Sequence, residues 1–508
     1  MPRRRSAYLV PPAHCQLERL PAELLHRIFS FLEVSDVTAA RATCSLLAAV
    51  GGDYILEEVA VIFQRDRFRR LLAIAHHPVF AQRVKALFFQ GDRFSSDPCY
   101  DEWDDSRSDP NTDGRMTDDL PGVEPSGSGR YMRAIGRALT KWKDTRKGNF
   151  TEEELDAAFD AYVWHINSQK RIVAEGYDTF CLTALLNGCP KLRCITLAFQ
   201  QAMSGKLAMT TNAFRDAMDY PKGDTVWEDQ GVRQVTAISQ AVCLSGQSLD
   251  SLSLIEVSHR VFEQSRDVVE RIRHMFRPLR RLRLLVQTWA TDEDLVAEEQ
   301  QLFEASLCFE GGAVKEVLKD TPDLRVLKLQ FPIGVTGPGI QVVARLGDIT
   351  GDTTWPNLLE LGLSNFIATE DGLVDLLLRH RTSLRWLSLS HIELESGTWT
   401  SALRRIAGKL SNLRSIRLRS YFVSDASGRE FDFDIPGAES RKIAPLRDAV
   451  ETYILKGGEY PNVDRLPLLL SMYPWEEPEY VSPGIPIDEP DPEDPALRYE
   501  WDQFDAHM

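Results

Sequence analysis

One short cassette, L-x-x-L-x-L with Ile tolerated at the middle position, recurs seven times and restricts the possible folds of this chain more than any other feature. The copies are Leu192/Ile195/Leu197, Leu249/Leu252/Leu254, Leu279/Leu282/Leu284, Leu324/Leu327/Leu329, Leu358/Leu361/Leu363, Leu384/Leu387/Leu389 and Leu413/Ile416/Leu418, and Val84/Leu87/Phe89 opens the same pattern upstream. The second and third apolar positions are two residues apart, so they share one face of a short strand, while the first packs round the preceding bend. Turn residues such as Cys189-Pro190-Lys191, Thr321-Pro322-Asp323 and Trp355-Pro356-Asn357 supply a chain reversal before the strand. Helical patterns lie between cassettes, as at 371–378 and 399–406. Strand, helix, strand at this spacing predicts an α/β fold, with a parallel sheet flanked by helices and stacked into a solenoid.

From first Leu to first Leu the spacings are 57, 30, 45, 34, 26 and 29 residues. The longer intervals imply insertions, for example at 200–240 and 331–354. A single doubly wound sheet is the alternative, although no glycine-rich phosphate loop follows any strand. Residues 151–188 read as helical, with Thr151 as the cap, Glu152 to Glu154 in the first turn, and Leu155, Phe159 and Tyr162 on one face.

Upstream of the array, Leu20-Pro21-Ala22-Glu23-Leu24-Leu25-His26-Arg27-Ile28-Phe29-Ser30-Phe31-Leu32 reads as a helix. Pro21 suits the first turn, Glu23 favours its positive end, and Leu24, Leu25, Ile28, Phe31 and Leu32 recur at helical spacing. Ser35 or Asp36 is placed to cap a second helix carrying Val37, Ala40 and Arg41, and Cys44, Leu46 and Leu47 continue into a third. A unit of roughly 40 residues buries too little surface to be robust alone. Periodicity allows either a docking module or a plain helical cap on the domain that follows.

The pattern Leu20-Pro21-x-Glu23-Leu24-Leu25-x-x-Ile28-x-x-x-Leu32, then Asp36-Val37, then Arg41-Ala42-Thr43-Cys44-x-x-Leu47, resembles an F-box. Ser45 and Leu46 depart from it, where many members carry a basic residue followed by an aromatic. The resemblance implies binding to a Skp-type adaptor and, through it, a cullin-RING ubiquitin ligase. On that basis Leu20, Pro21, Leu24, Ile28 and Leu32 are the expected adaptor contacts, with Val37 and Leu47 supporting the fold or touching the partner. The cassettes are similar to the irregular leucine-rich repeats that follow the F-box in many fungal-type F-box proteins. The chain then divides into an extension (1–16), an F-box (17–60), a leucine-rich-repeat solenoid (61–438) with an acidic loop (91–129), a cap (439–474) and an acidic, proline-rich tail (475–508).

Composition narrows the function. A formal charge of -16 argues against a general nucleic-acid partner, since phosphate binding needs a positive surface. Eleven acidic residues against Arg498 alone fill 475–508, which reads as a solvated tail. Eight cysteines without a CxxC pair suggest a reducing compartment, and no apolar run of about 18 residues exists for a membrane span, so the cytoplasm or nucleus is expected. Asp109-x-Asn111-x-Asp113-Gly114 begins as a calcium loop does, but Leu120 stands where a bidentate Glu is needed. No zinc-spaced Cys/His cluster or hydrolase motif appears, His76-His77 reads as packing or surface, and Cys189 and Cys194 read as buried thiols.

The expected protein is therefore a non-enzymatic substrate adaptor without a cofactor, holding an unidentified protein target on the repeat surface. A ligase-independent interaction scaffold is the rival. Gln330, Phe366, His391 and Tyr421, placed just after strands, are the expected exposed target contacts.

Overall fold

The computed structural model describes residues 20–32, 34–54, 57–94, 99–101, 103–104, 150–199, 213–219, 221, 229–288, 295–336, 339–424, 431–432 and 440–461. Three short helices come first: α1 (Ala22–Phe29), α2 (Val34–Arg41) and α3 (Ser45–Gly51). Strands and helices then alternate as β1 (Glu58–Ile62), α4 (Arg65–Ala75), β2 (Ala86–Gln90), α5 (Glu152–Glu175), α6 (Tyr177–Gly188), β3 (Cys194–Ala198), α7 (Val232–Ser245), β4 (Ser251–Val257), α8 (Arg266–Phe276) and β5 (Arg281–Val286). The remainder is α9 (Leu295–Glu310), α10 (Ala313–Leu318), β6 (Val326–Gln330), the hairpin β7 (Ile333–Thr336) and β8 (Gly339–Val342), α11 (Leu346–Thr350) and β9 (Glu360–Thr369), followed by α12 (Glu370–Arg379), β10 (Trp386–Ser396), α13 (Trp399–Ile406), β11 (Ser415–Ser424), β12 (Phe431–Asp432) and α14 (Ser440–Lys456).

Ten strands form one sheet in the order β1-β2-β3-β4-β5-β6-β9-β10-β11-β12. Neighbours are parallel except for β12, which is antiparallel to β11. Each cassette is a strand, and the register aligns like with like. Leu87, Ile195, Leu252, Leu282, Leu327, Leu361, Leu387 and Ile416 form one column, and Phe89, Leu197, Leu254, Leu284, Leu329, Leu363, Leu389 and Leu418 the next. A slip of one residue would turn both columns to the other face. These side chains share a core with Phe68 and Leu71 of α4, Leu182 and Leu185 of α6, Ile238 and Val242 of α7, Ile272 of α8, Leu373 of α12 and Ile406 of α13. Each fully buried aliphatic side chain contributes roughly 1.5–3 kcal/mol, so the columns dominate the stability of the sheet.

The structure corrects several expectations. β1 begins at Glu58, inside the residues assigned to the F-box, yet it pairs with β2 from Glu58↔Ala86 to Ile62↔Gln90 and is the first strand of the sheet. α2 starts at Val34, so Ser35 and Asp36 sit in its first turn instead of capping it. The segment expected to be an exposed acidic loop holds buried Phe94 and Trp103, which pack with Ile62, Tyr162, Ile166 and Phe214 in a second core. Trp103 Nε1 donates to the Ala217 carbonyl at 2.9 Å. The aromatic anchors outweigh the acidic composition around them. The calcium-like loop at 109–120, the leucine-rich stretch 466–470 expected to close the open end of the solenoid, and the tail at 475–508 lie outside the described residues.

Thr151 caps α5 as the sequence predicts. Its side chain accepts from the Glu154 N–H at 3.3 Å, and Glu154 accepts from the Thr151 N–H at 2.9 Å, a reciprocal capping box. We expect Thr151→Ala to destabilise the chain by about 1 kcal/mol, read as a lower urea midpoint. Gly176, with φ +60°, ends α5 and starts α6, a left-handed backbone that glycine adopts without cost.

At the far end of the sheet, β12 pairs only with Tyr421 and Phe422 of β11. α14 packs on this end through buried Val450, Tyr453 and Ile454, and its Glu451 carboxylate accepts the Leu418 backbone N–H at 2.9 Å. Burial raises the Glu451 pKa.

Candidate functional site

The amino-terminal helices form a small core of their own. Leu25 and Phe29 of α1 point inward to Val37 of α2 and to Leu47 and Val50 of α3. Gly51 is required here, because a Cβ would lie 2.5 Å from the Phe29 ring. Cys44 Sγ caps α3 by accepting from the Leu47 N–H, Arg41 Nε donates to the Ala48 carbonyl at 3.1 Å, and the Tyr54 hydroxyl donates to the His26 carbonyl at 2.8 Å.

This module is apolar on its outside as well. Leu24 is 48% exposed, Ile28 40% and Phe31 78%, and Leu46 on α3 is 37% exposed. Leu24 and Ile28, four residues apart, line one stripe of α1, and exposed Phe31 follows in the turn after the helix. A folded helix with large apolar side chains on both sides leaves an apolar patch in water, of the kind that docking surfaces use.

Of the expected adaptor contacts, Pro21, Leu24 and Ile28 are exposed and Leu20 and Leu32 half-buried, whereas Val37 and Leu47 are interior. Phe31 and Leu46 are exposed beside them and were not among the expected contacts. Phe31 carried a signal, an aromatic three residues after Ile28. Leu46 carried only its position where the resemblance departs.

The expected target contacts fare differently. Gln330 is half-buried on the sheet face opposite the leucine columns. Phe366 has no exposed surface and packs edge-on against Phe331 at 5.0 Å, so it is a core residue. His391 is 7% exposed with φ +49°, and Asn365 beside it on β9 has φ +64°. These left-handed residues turn the chain so that Phe366 and Ile392 face inward in register. Asn365 Nδ2 also donates to the Phe331 carbonyl at 2.7 Å. Tyr421 lies in β11, paired with Asp432; its side chain is outside the described residues.

Burial lowers the His391 pKa to about 4, so the folded ring is neutral at pH 7. In the unfolded chain it titrates near 6.5, so as pH falls between about 6.5 and 4 protons bind the unfolded state first and this contribution to stability is lost. Glu256 acts in the opposite sense, since burial and then Asp92 raise its pKa to about 8. The measurement is therefore a difference: wild type minus His391→Asn, which suits a left-handed position, in urea midpoint. We expect it to shrink from about pH 7 to pH 5, and a pH-independent difference would remove His391 from the balance.

On the sheet face away from the leucines, Arg281, Arg283, Lys328, Gln330, Glu360, Ser364, Ser388, Ser390, Arg417 and Arg419 are half-exposed, beside half-buried Trp386 and buried Val326 and Leu285. Gly362 of β9 leaves a gap between Lys328 and Ser388, its register partners on β6 and β10. A cavity of about 110 Å³ opens there, lined by Arg283, Lys328, Gln330, Ser364, Ser390 and Arg419 among others.

Residues 17–56 match the F-box-like family, which identifies the three-helix module as an F-box-like domain. No curated protein matches the chain. F-box domains typically bind Skp-type adaptors, which points in general to an adaptor role in a ubiquitin ligase. Among the described residues, no helix is long and apolar enough to cross a membrane, and no group of three or more His, Cys, Asp or Glu is placed to hold a metal.

Proposed function

We propose that the chain is a substrate receptor of a Skp-cullin-F-box ubiquitin ligase. The observation that carries this reading is the outward apolar surface of Leu24, Ile28 and Phe31 on a domain whose inward core is already complete. That surface has no structural task within the domain, and it falls inside the residues that match the F-box-like family. The strands behind it form a leucine-rich-repeat solenoid that presents a target; support comes from the cassette columns and from strands that follow one another across the sheet in chain order. The receptor supplies no catalytic group, because the reaction belongs to the charged ubiquitin-conjugating partner and the receptor contributes proximity.

The test is capture of a purified Skp-type adaptor by the full chain. Saturable capture supports the receptor. Its absence favours a ligase-independent scaffold in which the helices only cap the sheet.

A further inference from the structure

We propose that the open sheet face between β5 and β11 binds an extended acidic segment of the target protein, an inference that rests on the receptor reading and names the chemistry of its target. Three observations carry it.

The first is charge placed against composition. The chain has a net charge of -16, yet Arg281 and Arg283 of β5, Lys328 of β6, and Arg417 and Arg419 of β11 share this one face, with Glu360 among them as the ion-pair partner of Lys328 at 2.8 Å. The residues lining the cavity include Arg283, Lys328 and Arg419 and no carboxylate.

The second is the gap itself. Gly362 removes a side chain at the middle of the face, and a Cβ there would meet Lys328 Cγ at 3.3 Å, so the site is kept open where a peptide backbone would cross. Ser364, Ser388, Ser390 and Gln330 line the cavity with small hydrogen-bonding groups suited to carboxylate oxygens.

The third is span. Arg283 and Arg419 stand four strand intervals apart in the order β5-β6-β9-β10-β11. At about 4.8 Å per interval that is roughly 19 Å, the length of about six extended residues. The two arginines and Lys328 then meet carboxylates along one short acidic run, while the serines hold its centre. The target matches the face by charge, and the interaction weakens as salt screens it.

The test uses the full chain and a fluorescein-labelled hexaglutamate peptide, followed by anisotropy at low salt. Saturable binding is expected, with none for a hexalysine peptide. Arg283→Gln combined with Arg419→Gln should weaken it by about tenfold or more. Gly362→Val, which fills the gap and leaves the charge unchanged, should weaken it too. An unchanged circular dichroism spectrum and urea midpoint in each variant report that the sheet stays folded, and unchanged adaptor capture keeps failure here distinct from failure of the receptor reading. Absence of saturable binding overturns the proposal, as does binding that neither variant alters. Binding that appears only after the acidic residues of 475–508 are changed to Asn and Gln also overturns it, and assigns the face to the chain's own acidic segment.

Discussion

Replacing Leu24 and Ile28 together with aspartate should abolish capture of a Skp-type adaptor while leaving the circular dichroism of the chain unchanged. Both side chains are about half exposed, so the folded chain alone loses little from the change. Docking is another matter. Docking buries the remaining exposed half of each, worth roughly 0.7–1.5 kcal/mol, so removing both forfeits roughly 1.5–3 kcal/mol, a loss of about ten- to a hundredfold in affinity before the cost of burying a carboxylate is added. Phe31→Asp should act in the same direction. Val37→Ala and Leu47→Ala provide the contrast, since these side chains are 0% and 5% exposed and their truncation opens the three-helix core. Undiminished capture by the folded double variant would mean that the stripe is not the docking surface.

Trp355→Ala should cause the largest loss of stability, about 3–5 kcal/mol, seen as a marked fall in the urea midpoint. Trp355 has no exposed surface, stacks on His380 at 5.7 Å and donates from Nε1 to Thr321 Oγ1 at 3.1 Å. Truncation therefore leaves a cavity and removes one partner of the buried Thr321 hydroxyl, which keeps only the Leu318 carbonyl. His380 is fixed by the same arrangement: Nδ1 donates to the Leu376 carbonyl and Nε2 accepts from the Trp355 backbone N–H, which requires a neutral ring, and burial lowers its pKa. Trp386 is the control. It is half-buried on the open face, and Trp386→Ala should shift the midpoint far less. Equal shifts for the two tryptophans would contradict the core assigned to Trp355.

What the sequence disclosed of the fold follows from where its signal is local. L-x-x-L-x-L is contained in six residues and dictates one face of one strand, so β3, β4, β5, β6, β9, β10 and β11 were legible at Leu192, Leu249, Leu279, Leu324, Leu358, Leu384 and Leu413. β1 is written the same way, as Leu56-x-x-Val59-x-Val61, but with valines and directly after an F-box-like pattern that claimed those residues. The second part of the longer strands was harder. Left-handed backbone at Asn365 and His391 decides that Phe366 and Ile392 point inward, and a histidine gives little notice of that conformation. Trp103 was hidden by acidic neighbours whose composition says loop, whereas its burial depends on α5 and on residues more than a hundred positions away. The basic face was illegible for a related reason: Arg283, Lys328 and Arg419 are far apart in the chain, and only the strand register brings them together.

Within the F-box-like domain, the sequence separated helix from loop but not inside from outside. Leu24 and Leu25 are adjacent and chemically identical, and only the packing of α2 and α3 decides that Leu25 is interior and Leu24 faces water.

A sheet built by laying one strand beside the last has no intrinsic end, since every new edge offers the same ladder of donors and acceptors to the next strand. At β11 that growth is stopped by Glu451, whose carboxylate occupies the Leu418 donor, and by the two-residue β12, which runs in the reverse direction. The helix that ends the described chain thus acts as a chain terminator in the polymer sense: it holds each molecule at a fixed length and keeps its edge from templating a filament with its neighbours.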